Sequence, residues 1–195
     1  MEVTTQTNEN KGYSSRRFIR QGIAGNYDIV FEMIRVIRDS VYNDAAMDNF
    51  VVGLLRGEKL DSYSKPLEQL DTIYKFVKLN VAYINDPAGL VESVKSARVT
   101  LADGYGDCDD LTNTVATLAG VVGFENVKIA LAKYDNEATF SHVYPVVYTA
   151  DGQRVAMDAS LPNGKLGDEI RATEVKEISV FDNVQGLDGV SGLYN

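Results

Sequence analysis

Apolar residues recur at helical spacing from about residue 26 to residue 80 and again after Cys108, and from Val127 at a spacing of two, which predicts helices followed by strands. From Asn26, an N-cap residue type, Val30, Ile34, Ile37 and Val41 form the stripe of an amphipathic helix. A second helix is expected from about Ala45 to Leu55, with Ala46, Phe50, Val51 and Leu54 inward. It ends at Arg56-Gly57, a basic last turn followed by a glycine stop. A third begins near Pro66, whose missing N–H is harmless in a first turn, and carries Leu67, Leu70, Ile73, Tyr74 and Val77 on one face.

Val81 to Ile84 reads as a short strand stopped by Asn85-Asp86-Pro87-Ala88-Gly89. Residues 90–103 leave two readings open, with Val91 to Ala97 either a short helix or a packed loop. Beyond Cys108, Leu111, Val115, Leu118, Ala119 and Val122 fall on one face of a helix that ends at Gly123. Asp107 with Asp110 resembles a capping box, aspartate replacing the usual glutamate, and this makes Cys108 the first helical residue. Val127, Ile129 and Leu131 then alternate with Lys128, Ala130 and Ala132, as in a strand with one buried face. Phe140 to Tyr148 and Arg154 to Asp158, joined by Ala150-Asp151-Gly152, predict a hairpin, and Ile178, Val180 and Phe181 a last strand.

Residues 1–25 lack apolar periodicity and carry Arg16, Arg17 and Arg20 around Phe18 and Ile19. They read as an N-terminal arm, either flexible or docked on a partner. A single domain spans 26–182, and the glycine-containing stretch 183–195 reads as a loose tail.

Composition narrows the function more than the fold. With 195 residues, 45% hydrophobic and 24% charged, the chain can build a core without staples. A net charge of −9 supplies no basic face, so neither nucleic acid nor a membrane is an expected partner. One cysteine makes no internal disulfide, and with one histidine there is no Cys/His zinc set. No metal or cofactor is expected. The polar, acidic start shows no signal or transit peptide, and no apolar run reaches the roughly 18 residues of a span. Cytoplasm, or a particle assembled there, is the expected location.

Candidate chemistry centres on Cys108. A helix N-terminus favours thiolate through its dipole and unpaired N–H groups, while Asp109 and Asp110 oppose it at short range. The sole histidine, His142, lies in the first hairpin strand, and Asp158 near the end of the second. A three-residue loop with Gly152 left-handed pairs Thr149 with Gln153 and His142 with Ser160. Asp158 then becomes a diagonal neighbour of His142, about 7–8 Å away on the same face. A two-residue Asp-Gly turn would instead place the two on opposite faces. Pro145, lacking an N–H, predicts an edge or a bulge. In such a trio Cys108 is the nucleophile, His142 the base and acid, and Asp158 fixes the imidazole.

Gly106-Asp107-Cys108-Asp109-Asp110, the helix Leu111 to Val122, Ser141-His142-Val143 and Met157-Asp158-Ala159-Ser160 together resemble three sequence blocks of the transglutaminase-like superfamily. The resemblance spans about residues 65–160. Tyr83 to Gly89 and Ala102-Asp103-Gly104 are similar to versions encoded by tailed bacteriophages and prophages. It implies an α+β fold: a papain-like core, N-terminal helices on an antiparallel β-sheet, and the nucleophilic cysteine at the start of a central helix. It also implies a Cys108-His142-Asp158 triad, with Tyr83 the best-placed upstream residue to complete an oxyanion hole. The implied function is cysteine-dependent acyl transfer on amide bonds of a peptide or protein, as a hydrolase rather than a cross-linker, since no EF-hand calcium loop is present. The alternative is a structural or adaptor component of a phage virion, with other phage structural proteins as partners and the site idle or secondary.

Overall fold

The computed structural model describes residues 4–8, 12–18, 22–61, 64–85 and 91–182. Three helices, α1 (Ile23–Asn43), α2 (Ala45–Gly57) and α3 (Pro66–Asn80), carry most of the first half. Asn26 is not the cap of α1. The helix begins at Ile23 after Gly22, and the Asn26 Nδ2 donates to the Phe140 carbonyl at 2.8 Å. The α1 stripe is as expected and wider, with Met33 and Val36 buried beside Val30, Ile34 and Ile37. On α2 Val51 is buried as expected, joined by Met47 and Leu55, while Phe50 and Leu54 are half-buried and Ala46 is exposed. On α3, Leu70, Ile73, Tyr74 and Val77 are buried, whereas Leu67 in the first turn is exposed.

Residues 91–103 resolve into β4 (Val91–Lys95) and α4 (Ala97–Asp103), neither the short helix nor the loop. The partner of β4 comes from far away in sequence. β1 (Thr4–Asn8) and β2 (Gly12–Phe18) form an antiparallel hairpin, and β2 pairs with β4, Ser14 opposite Lys95. That much of the N-terminal arm therefore docks on the chain itself, while Arg20, residues 86–90 and the tail 183–195 lie outside the described residues. β3 (Ala82–Tyr83) pairs in parallel with β5 (Tyr105–Gly106).

The central helix α5 (Cys108–Val122) packs against α1, α2, α3, α4 and β7. It is buried on every side from Asp109 to Ala119 and so exceeds the single face read from the sequence. Gly123 ends it at φ +108°, in the left-handed region. The capping box does not form, because neither aspartate caps through its side chain: Asp110 accepts from the Lys95 N–H instead, at 3.0 Å.

β6 (Val127–Lys133), β7 (His142–Tyr148), β8 (Arg154–Ala156) and β9 (Glu174–Ser179) form an antiparallel sheet in the order β8-β7-β6-β9. Both faces are covered. Val127, Ile129 and Leu131 join the helical core, and Ala130 and Ala132 pack with Tyr144, Val146 and Ala156 on the other side, so β6 has two buried faces. The last strand sits earlier than expected and stops before the buried Val180.

The β7–β8 hairpin takes the three-residue register: Gly152 has φ +84°, Thr149 N–H donates to Gln153 at 3.0 Å, and Val146 pairs with Ala156. Pro145 occupies an interior strand, neither an edge nor a bulge. It faces β8 with its missing donor, so the ladder keeps one bond there, Met157 N–H to Pro145 O at 2.9 Å, and the pairing ends. The β7 backbone on the His142 side of Pro145 is thereby left for another element. Among the described residues no helix is long and apolar enough to cross a membrane.

Candidate active site

That vacated edge of β7 receives the first turn of α5. The Thr112 hydroxyl donates to the Val143 carbonyl at 3.1 Å, and the Val143 N–H is hydrogen bonded to the Cys108 sulfur. Cys108 is thus held at the helix start against the strand that carries His142. Gly106 permits the approach, since a Cβ there would lie 2.5 Å from the Asp110 Cβ. Asp110 is fully buried and ties α5 to β4: Oδ1 accepts the Lys95 N–H at 3.0 Å, and Oδ2 lies 3.0 Å from Lys95 Nζ. Asn113 adds a bond from Nδ2 to the Lys95 carbonyl at 3.0 Å, and the ammonium lies 4.5 Å from the Tyr105 ring centroid.

His142 and Cys108 line one cleft of about 240 Å³, together with Asn26, Asp107, Asp109 and Phe140. His142 Nε2 is 2.7 Å from Asp158 Oδ2, the contact that the hairpin register makes available. Asp158 is buried, and its other oxygen accepts from the Ser160 N–H at 3.1 Å and hydroxyl at 2.6 Å. The turn that carries it is held from α3: Tyr74 OH donates to the Asp158 carbonyl at 3.4 Å, and Lys78 Nζ donates to the Ala159 and Leu161 carbonyls. The structure thus brings all three sequence-predicted residues together.

The electrostatics correct one expectation. Burial raises the Cys108 thiol pKa, Asp109 and then Asp107 raise it further, and the N–H groups of Val143 and Asp109 only partly oppose this. The helix N-terminus does not by itself hold a thiolate, because desolvation and two adjacent carboxylates outweigh the dipole. Burial likewise pushes the Asp110 carboxyl up against the pull of Lys95. For Lys95, burial would lower the ammonium, but Asp110 more than reverses it. The Tyr83 hydroxyl is pushed up to about 12 by burial and then by Cys108, Asp107, Asp109 and Asp158, which places it in the field of the site.

Asp107, Asp109 and Asp110 each offer a carboxylate oxygen within 4.8 Å of one another, and they form the only potential metal-ligand group found among the described residues. Such an all-oxygen set suits a hard cation, and Asp107 Oδ1 is buried without a hydrogen-bond partner. Lys95 already supplies Asp110 with a positive partner.

Sequence reasoning missed two aromatic neighbours of the imidazole. Tyr144 is stacked with its ring centroid 5.7 Å away, and Tyr134 at 6.3 Å. Tyr144 was legible, being two residues beyond His142 on the same strand face. Lys95 was not, since nothing local marks a strand lysine as the partner of a helix aspartate.

The fold resembles solved structures at low identity. A candidate protease from Parabacteroides distasonis is 8% identical with a TM-score of 0.51, the match covering 92% of this chain and 38% of that one. LapG of Legionella pneumophila is 19% identical, with 76% of this chain and 80% of that one covered and a TM-score of 0.48. No curated protein matches by sequence. The family model described as transglutaminase-like superfamily matches residues 55–159, which include the cysteine at the start of the central helix, the histidine of the hairpin and the aspartate bonded to it. With more than half of its length matched, the chain belongs to the transglutaminase-like superfamily.

Proposed function

We propose that this chain is a cysteine-dependent enzyme that hydrolyses amide bonds in a peptide or protein. The observation that carries the reading is the 2.7 Å contact between His142 Nε2 and Asp158 Oδ2, in an imidazole that shares a cleft with the Cys108 thiol. Burial and the neighbouring carboxylates raise the thiol pKa, so a base must take the thiol proton as the sulfur attacks. Asp158 engages Nε2 and favours the tautomer with its proton there, which leaves Nδ1 as the acceptor for the thiol proton.

The sulfur attacks the carbonyl carbon as its proton passes to His142. The oxyanion is met by the Cys108 N–H, which has no intrahelical partner at the first position of a helix, and by the Tyr83 hydroxyl. Collapse breaks the C–N bond, and the imidazolium gives its proton to the leaving amine. Water, deprotonated by His142, then releases the acid and restores the thiol. Asp158 holds the ring and stabilises the imidazolium.

Rates of Cys108 alkylation by iodoacetamide at pH 7 test the coupling. His142→Gln is expected to slow the reaction by about tenfold or more, and equal rates would refute the base role. Comparing wild type with Cys108→Ala in a bacterial lysate reads for substrates cleaved only by the wild type. The alternative, a structural or adaptor component of a phage virion, is motivated by the arginine-containing N-terminal stretch and the glycine-rich C-terminal stretch of the sequence, and the solved structures it resembles come from bacteria.

A further inference from the structure

The outer face of the sheet carries a chain of polar contacts that ends on the imidazole. Arg154 grips Glu169 with two bonds, from one terminal nitrogen to Oε2 at 2.6 Å and from the other to Oε1 at 2.8 Å. Glu169 Oε1 accepts the Tyr144 hydroxyl at 2.7 Å, and Arg154 Nε also reaches Glu177 Oε1 at 2.8 Å. Tyr144 is buried, and its ring lies against the His142 ring at 27° between planes. Arg154 holds Glu169 below its ordinary carboxylate range, so the acceptor stays ionised at neutral pH.

We propose that Tyr144 is a positioning residue for His142, anchored at its hydroxyl by Glu169 and Arg154. The inference rests on the catalytic reading above. Asp158 at 2.7 Å and the Ser160 hydroxyl at 3.5 Å both meet the imidazole at Nε2, and contacts at one edge atom leave the ring free to swing about it. A fixed aromatic surface against its face removes that freedom. Tyr144 is suited to the task because both ends of its side chain are held: the backbone by β7, and the hydroxyl by an ion pair that bridges β8 and the segment after it. Tyr134, stacked at 29°, supplies a second contact from the end of β6.

The chain has a single histidine, so one imidazole N–H signal in a nitrogen-15 spectrum of the full-length protein reports on the site without assignment. In wild type the Nε2–H bonded to Asp158 is expected as a downfield, slowly exchanging resonance. Tyr144→Phe keeps the ring and is expected to keep the signal, with exchange a few-fold faster. Tyr144→Leu removes the ring and should raise the exchange rate at least tenfold. It should also slow Cys108 alkylation by iodoacetamide about tenfold at pH 7, while circular dichroism shows a folded chain. Glu169→Gln, which weakens the anchor and leaves the core intact, should speed exchange several-fold. A merely structural role would lower the melting temperature of these variants and leave the imidazole signal unmoved.

Unchanged exchange in Tyr144→Leu overturns the inference; if that variant does not fold, unchanged exchange in Glu169→Gln does so. The imidazole signal is independent of thiol reactivity. Exchange that responds to Tyr144, with wild-type alkylation equal to that of His142→Gln, supports the positioning and sinks the catalytic reading alone.

Discussion

Replacing Lys95 by Met should destabilise the protein strongly at neutral pH and much less in mild acid. The Asp110 side chain is fully buried, and among the described residues its only charged partner at ion-pair distance is the Lys95 ammonium at 3.0 Å, itself 11% exposed. Methionine keeps the stem and the backbone N–H to Asp110 and removes only the charge. The carboxylate must then stay ionised without a cation or take a proton, and protonation sets the ceiling on the loss. From an unfolded pKa of about 3.9, taking that proton at pH 7 costs about 4 kcal/mol, and at pH 5 about 1.5 kcal/mol. The sign follows from the raised folded-state pKa. The native variant binds more protons than the unfolded chain between the two pKa values, so its stability falls as pH rises through that window.

Wild type already bears part of that cost, because burial raises its Asp110 carboxyl even beside Lys95, so we expect Lys95→Met to lose about 1–3 kcal/mol at pH 7, or roughly 2–12 °C in melting temperature, and less than about 1 kcal/mol at pH 5. Urea titrations followed by tyrosine fluorescence suit a chain with 11 tyrosines and no tryptophan. Lys95→Met combined with Asp110→Asn should recover most of the loss, because asparagine accepts the same N–H bond without a charge. A loss under about 1 kcal/mol at pH 7, or one equal at both pH values, would refute the reasoning.

Asp158→Asn should cut turnover of any cleaved substrate by roughly 10²-fold or more, with little change in KM, since the imidazole loses its orienting charge. Activity within a few-fold of wild type would remove Asp158 from the mechanism. Because Asp109 is the largest charged contributor to the raised Cys108 pKa, Asp109→Asn should shift the alkylation–pH profile to lower pH and speed alkylation at pH 7 by up to about tenfold. An unshifted profile contradicts that assignment. Tyr83→Phe should lower kcat by about 10²-fold if its hydroxyl meets the oxyanion, and a change confined to KM would assign it to substrate binding instead. Gly106→Ala should destabilise by about 1–3 kcal/mol in chemical denaturation, because its Cβ would lie 2.5 Å from the Asp110 Cβ.

Much of the site was legible because its geometry is local. The 3.6-residue and two-residue periods marked the helices and the hairpin and narrowed its register to two, of which the structure takes the three-residue loop that places Asp158 beside His142. Cys108 at a helix start followed from the apolar pattern after it. What tertiary structure decided involves residues far apart in the chain with no periodic signal between them. β4 became a strand because β2 was there to pair with it, and Lys95 then met Asp110 across the α5 interface. The α5 first turn reached Val143 because Pro145 closed the β8 ladder two residues away. The thiol pKa was misjudged for the same reason: a dipole can be read from a helix start, but the desolvation that outweighs it exists only once other elements have closed around the sulfur.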